Sequence, residues 1–181
     1  MLDDLQLVDL VKNGNTDAFG QIIERYQLFI AKYLYRLTGE YETARDLTQD
    51  TFVAAFQNLR KNNNPIILKA WLYGIATNKA LQYRRRKKII IFIPFSDYKK
   101  SDPPDNHNRI EELPEKMAIQ TALLKIPKEQ RVCMVLHFVE GFKYREIAQT
   151  LGISEDAVRM RVARGSREFR KQYGPKEGDV R

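Results

Sequence analysis

The sequence predicts an all-α chain: two small helical domains joined by a flexible linker, the C-terminal one with a helix-turn-helix. Three observations carry that expectation. Apolar residues recur at spacings of three and four over most of residues 16–88 and 114–171, the signature of helices with one buried stripe. Between those stretches lies a polar, proline-bearing segment of linker composition. Residues 144–167 then place a small residue, a glycine, an apolar plug, a capping serine and a basic face in the order of two helices crossing at a tight turn. On this reading the chain divides into a first domain at 1–90, a linker at 91–113, a second domain at 114–173 and a tail at 174–181.

Each element has its local reason. Thr16 or Asp17 can cap the first long helix and Gly39 can end it. Between them Phe19, Ile22, Ile23, Tyr26, Phe29, Ile30, Tyr33, Leu34 and Leu37 form one apolar stripe. A second helix, about Glu42 to Leu59, turns Ala44, Leu47, Phe52, Ala55, Phe56 and Leu59 inward. Asn62-Asn63-Asn64-Pro65 breaks the pattern, because proline disfavours helix at the residue before it. A third helix, about Leu68 to Lys88, buries Trp71, Leu72, Ile75 and Ala76. Ile89 to Phe95 is apolar and β-branched, and three readings stay open for it: it prolongs the helix, packs on the first domain, or binds a partner. Ser96 to Asn108, with Pro103-Pro104 at its centre, reads as linker. Pro114 suits the first turn of a helix that ends near Ile126-Pro127, and a further helix runs from Pro127 to Glu140, where Gly141 stops it.

In the helix-turn-helix, Ile147, Ala148 and Leu151 face inward on the first helix, and Ala148 is small where the second must pass. Gly152 takes the positive φ of the turn, Ile153 plugs the core, and Ser154 caps the second helix, with Glu155 and Asp156 suiting its positive end. Val158 and Val162 point in. Arg159, Met160, Ala163, Arg164 and Arg167 remain outside, with Arg161 at the edge, as major-groove and phosphate recognition requires.

Charge agrees with a polyanionic partner. The net charge is +8, but residues 1–80 are neutral, Arg84–Lys88 contribute five positive charges, residues 89–115 carry a net −3 and residues 116–181 a net +6. Two basic zones flanking an acidic one point to two separate contacts with nucleic acid. No apolar run approaches the ~20 residues of a membrane helix. The acidic start Met1-Leu2-Asp3-Asp4 is unlike a secretory signal, so a cytoplasmic protein is expected. The single cysteine, Cys133, excludes an internal disulfide and a multi-thiolate zinc site, and reads as a core residue. His107 falls in the linker and His137 in an apolar helix; no nucleophile–base set, phosphate-binding glycine loop or metal cluster is present, and Asp46 and Asp50 lack a third ligand. No enzyme, cofactor or small-molecule substrate is expected.

Three motifs carry a family resemblance. The first is Tyr33 to Gly39 followed by Ala44-Arg45-Asp46-Leu47-Thr48-Gln49-Asp50-Thr51-Phe52. The second is Ala70-Trp71-Leu72-Tyr73-Gly74-Ile75-Ala76-Thr77-Asn78. The third is the helix-turn-helix with the preceding Leu136 to Gly141. In this order and spacing they resemble the bacterial RNA polymerase sigma factors of the extracytoplasmic-function group, over about Thr16 to Lys88 and Pro114 to Lys171. The resemblance implies two helical domains, the family's second and fourth conserved regions. It implies that Asp46, Gln49, Asp50 and Phe52 dock on the largest catalytic subunit of core polymerase. It implies that Lys61, Asn62, Asn63 and Asn64, with the helix face of Lys69, Tyr73, Asn78 and Lys79, open promoter DNA near the start site and capture a flipped base, while Arg84, Arg85 and Arg86 hold phosphates. It places Ser154, Arg159, Met160, Arg161, Ala163, Arg164 and Arg167 on the upstream promoter element. An inhibitory anti-sigma factor is implied as a further partner. Two positions depart from the pattern: Gly74 stands where many relatives carry a basic residue, and Gln82 where many carry an aspartate. A helix-turn-helix repressor or activator is the alternative; it would need a sensor or dimerisation module in residues 1–90, where the first two motifs stand instead.

Overall fold

The computed structural model describes residues 2–61, 66–91 (backbone alone from 84) and 114–174. Four helices make the first domain: α1 (Asp4–Lys12), α2 (Thr16–Thr38), α3 (Tyr41–Leu59) and α4 (Leu68–Ile91). The second holds α5 (Pro114–Lys125), α6 (Lys128–Met134), a π-helical turn (Val135–Val139), α7 (Tyr144–Leu151) and α8 (Glu155–Tyr173). The described residues contain no strand.

Helix α1 was not expected. Asp3 and Gln6 form a reciprocal capping box at its start, and Leu7, Val8 and Val11 bury one face. Asp4 then ties it to α2, accepting from Arg25 and from the Tyr26 hydroxyl, both at 2.5 Å. The cap of α2 is Asn15, whose side chain accepts from the Ala18 amide, not Thr16 or Asp17. Gly39 ends α2 in the left-handed region at φ 77°, as its sequence position suggests. Phe29 departs from the expected stripe and is exposed. It lies at the open rim of the seam between the domains, beside Tyr26, Lys69 and Val139. The first core is closed by Phe19 against Phe52 and Phe56, and by a buried Tyr33–Thr77 hydroxyl pair at 2.7 Å. Helix α4 continues to Ile91, so the backbone of Ile89–Ile91 prolongs the helix; Phe92 to Phe95 and the linker lie outside the described residues.

In the second domain the helix expected from Pro127 to Glu140 changes pitch. After Met134 the chain widens into the π-helical turn, and the Glu140 amide bonds the Val135 carbonyl. The wider turn re-aims the residues that follow it, Glu140 in particular. Downstream the expectation holds closely: Gly152 sits at φ 65°, the Ser154 hydroxyl accepts from the Ala157 amide, and Ile147, Ala148, Val158 and Val162 are buried. Ile153 is half-buried against that core. Helix α8 crosses α6 at Gly165, where a Cβ would meet the Met134 sulfur at 2.5 Å.

The two domains pack on each other. Arg131 of α6 is buried and donates to Leu124 O and Ile126 O in its own domain and to Leu37 O in the other, at 2.6, 2.9 and 2.6 Å. Leu37 lies in the last turn of α2 and Leu124 in the last turn of α5, so the guanidinium neutralises the negative ends of two helices at once. Gln120 donates to Tyr35 O at 3.0 Å, and Gly39 leaves room for the Leu124 side chain.

Candidate functional site

Three surfaces carry the residues singled out by sequence. On α3, Asp46, Gln49 and Asp50 are exposed and share one side of the helix, as spacings of three and four dictate. Asp50 leans toward Lys79 of α4, 3.9 Å away. Phe52 does not belong with them. Two residues on from Asp50 it points to the opposite side, is buried, and meets Phe19 edge-on at 6.5 Å. The helical period had placed it inward; the docking role expected of its side chain is corrected accordingly.

On α4, Lys69 and Asn78 are exposed and Lys79 is half-buried. Trp71 packs half-buried against the core. Tyr73 was expected on an open strand-binding face and is instead only 1% exposed. Its ring lies between Tyr33 and Phe142, with centroids at 5.0 and 5.2 Å, and its hydroxyl donates to the Glu140 carboxylate. Burial first, and then that carboxylate, push the phenol well above its ordinary range. Lys69 is also engaged by the second domain: its ammonium donates to Glu140 O at 3.0 Å and sits 4.8 Å over the Phe142 ring. Lys61 is exposed just beyond α3; Asn62, Asn63 and Asn64, and the side chains of Arg84, Arg85 and Arg86, lie outside the described residues. Glu140, Phe142, Arg36 and Arg131 were not singled out from sequence. The one available signal was a carboxylate directly before the helix-stopping Gly141.

On α8, Arg159, Met160, Ala163, Arg164 and Arg167 are exposed on the side away from buried Val158 and Val162. Arg159 is held by Glu155 at 3.2 Å and lies 5.8 Å over the Tyr144 ring, which in turn meets His137 at a tilt, with centroids 4.5 Å apart. Arg161 is half-buried and lies near enough to the Cys133 thiol for its positive charge to offset part of the upward shift that burial gives that thiol. Its guanidinium thus faces α6, and the outer face belongs to its neighbours. Ser154 serves the backbone as N-cap.

The sequence matches the family described as Sigma-70 region 2 over residues 22–89 and that described as Sigma-70, region 4 over residues 116–168. It is 31% identical over 156 residues to the ECF RNA polymerase sigma factor SigE of Mycolicibacterium smegmatis, covering 84% of this chain and 60% of that protein. It is 29% identical over 172 residues to the ECF RNA polymerase sigma factor SigW of Bacillus subtilis, covering 90% of this chain and 92% of that one. The chain thus spans less than two thirds of the mycobacterial relative and nearly all of the Bacillus one. Among solved structures it is similar to CnrH in complex with the cytosolic domain of CnrY, at a TM-score of 0.67 and 26% identity over 91% of this chain and 93% of that one.

Proposed function

The chain belongs to the sigma-70 family of RNA polymerase sigma factors, in its extracytoplasmic-function group, and from that premise we propose how its surfaces divide the work. The chain binds core RNA polymerase, directs it to particular promoters and starts transcription. The exposed side of α3, Asp46, Gln49 and Asp50, docks on polymerase. The α4 surface, with Lys61 to Asn64, Lys69, Asn78, Lys79 and Arg84 to Arg86, takes the unpaired strand near the start site. Tyr73 joins that surface only when the second domain is lifted from it. Helix α8 lies in the major groove of the upstream element. Arg159 and Arg164 read base edges there, while Arg167 holds phosphate.

The observation that carries this reading is the face of α8: three arginines, Met160 and Ala163 exposed together opposite a buried valine pair, behind a glycine turn and a serine cap. Two helices crossing at a tight turn, with a basic outer face on the second, is the geometry by which a helix-turn-helix places its recognition helix in the major groove. CnrH was solved in complex with the cytosolic domain of CnrY; for this chain too a protein partner is proposed, an anti-sigma factor that holds it inactive. Among the described residues no helix is long and apolar enough to cross a membrane. The proposed work with polymerase, as in the sigma factors it resembles, would place the chain in the cytoplasm.

Run-off transcription with core polymerase tests the reading. Adding the chain is expected to start transcription at specific promoters, and Arg159→Ala to change upstream sequence preference by the ~1–3 kcal/mol of one base-reading arginine. DNA binding by the chain alone, with no initiation when polymerase is supplied, would favour a simple repressor or activator instead.

A further inference from the structure

Glu140 stands where the π-helical turn gives way to Gly141, and it reaches into the other domain three times. Its carboxylate accepts from the Tyr73 hydroxyl at 2.5 Å and pairs with Arg36 at 3.4 Å, while its backbone oxygen accepts from the Lys69 ammonium at 3.0 Å. The side chain is only 8% exposed, so a carboxylate has been taken out of water and is held by groups of the first domain. Phe142 reinforces the contact from beside it, edge-on to Tyr73 and under Lys69. Gly74 lets α7 come close: a Cβ there would lie 3.3 Å from the Thr150 methyl.

Lys69 and Tyr73 are two of the positions assigned to the opened strand. Their polar atoms cannot serve a phosphate or a base while they serve Glu140. The cluster sets charged groups beside the buried Tyr73 and Phe142 rings, and its charged members regain water when the domains part. A buried ion pair gains little over its hydrated components, so such a closure holds by a modest margin and yields to competing contacts.

We propose that Glu140 is an autoinhibitory latch: it holds the second domain over the Lys69–Tyr73 part of the strand-binding face of α4, and the free chain masks that part until the domains separate. The proposal rests on the reading of α4 as the strand-binding surface. Its consequence is quantitative. Affinity for single-stranded DNA, measured on the free chain, is reduced by the fraction of molecules that are open.

The test uses the full chain with fluorophores on cysteines at the exposed positions of Gln82→Cys and Gln149→Cys. Cys133 is fully buried and shielded from the dyes. Two variants open the closure by different routes: Glu140→Ala removes the shared acceptor, and Gly74→Gln wedges α7 away while improving the helix propensity of α4. Both are expected to lower energy transfer, and to tighten binding of a fluorescein-labelled oligothymidylate about tenfold, the equilibrium worth of one charge-assisted hydrogen bond. Unchanged transfer in both variants overturns the latch. Lowered transfer with unchanged oligonucleotide affinity overturns the mask. Run-off transcription on the same wild-type preparation separates the two claims: initiation with a failed latch leaves the functional reading standing, and absence of initiation removes the premise beneath the latch.

Discussion

Replacing Arg131 by methionine is expected to cost about 3–5 kcal/mol of stability. Arg131 is 2% exposed, and its guanidinium serves three backbone carbonyls, those of Leu37, Leu124 and Ile126. Methionine keeps the apolar stem but leaves those acceptors without their donor. A buried unpaired polar group costs ~1–3 kcal/mol, so three would forfeit roughly 3–9 kcal/mol. Against that stands relief from holding a cation out of water, worth several kcal/mol in the opposite sense, which brings the net toward the lower end. At ~2–4 °C per kcal/mol for a chain of this size, the melting temperature is expected to fall by about 6–20 °C. Thermal unfolding followed by far-ultraviolet circular dichroism measures it. Arg131→Lys should recover only part, because one ammonium cannot reach carbonyls at the ends of two helices as a planar fork does. A fall of less than ~2 °C for the methionine variant would refute the reasoning, since the helix ends would then need no buried cation.

Gly39→Ala is expected to cost about 1–2 kcal/mol of stability, read as a lower denaturant midpoint, because φ is 77° there and the new Cβ would run into the Leu124 side chain. Asp46→Lys with Asp50→Lys should abolish co-elution with core polymerase while shifting stability by less than about 1 kcal/mol, since both carboxylates are exposed. Stability should fall as pH rises above 10. Tyr26, Tyr33 and Tyr73 all have phenol pKa values raised from 10.0, chiefly by burial, so the unfolded chain releases these protons first and the folded chain holds them. Below pH 10 that contribution is fully present, and denaturant titrations at stepped alkaline pH would show its loss.

How far the sequence foretold the structure depended on the range of each contact. Helices α2 and α3 were legible because a stripe of spacing three and four runs through each, and Gly39, Gly152 and Ser154 act on neighbours a few residues away. Helix α1 was missed because nine residues carry only three buried positions, too few for a period to stand out, although its Asp3–Gln6 box was there to be read. Phe52 is instructive in the other direction: its period placed it inward, the family resemblance placed it at a docking surface, and packing against Phe19 agrees with the period. The rest was illegible for a physical reason. Tyr73 and Lys69 meet Glu140 across 67 and 71 residues, and Arg36 meets it across 104. No local pattern encodes such pairings, and the change of pitch that aims Glu140 arises within a stretch whose residues suit an ordinary helix.

The central claim is that this chain opens promoter DNA only as part of polymerase, with α8 at the upstream element and α4 near the start site. A permanganate footprint of unpaired thymines measures that directly on promoter DNA mixed with the chain, with core polymerase, or with both. Reactive thymines near the start site are expected with both present and with neither alone, and Asn78→Ala should weaken them more than it weakens the initial DNA complex. Reactivity independent of the chain, or a protected upstream element with paired thymines throughout when polymerase is present, would contradict the account.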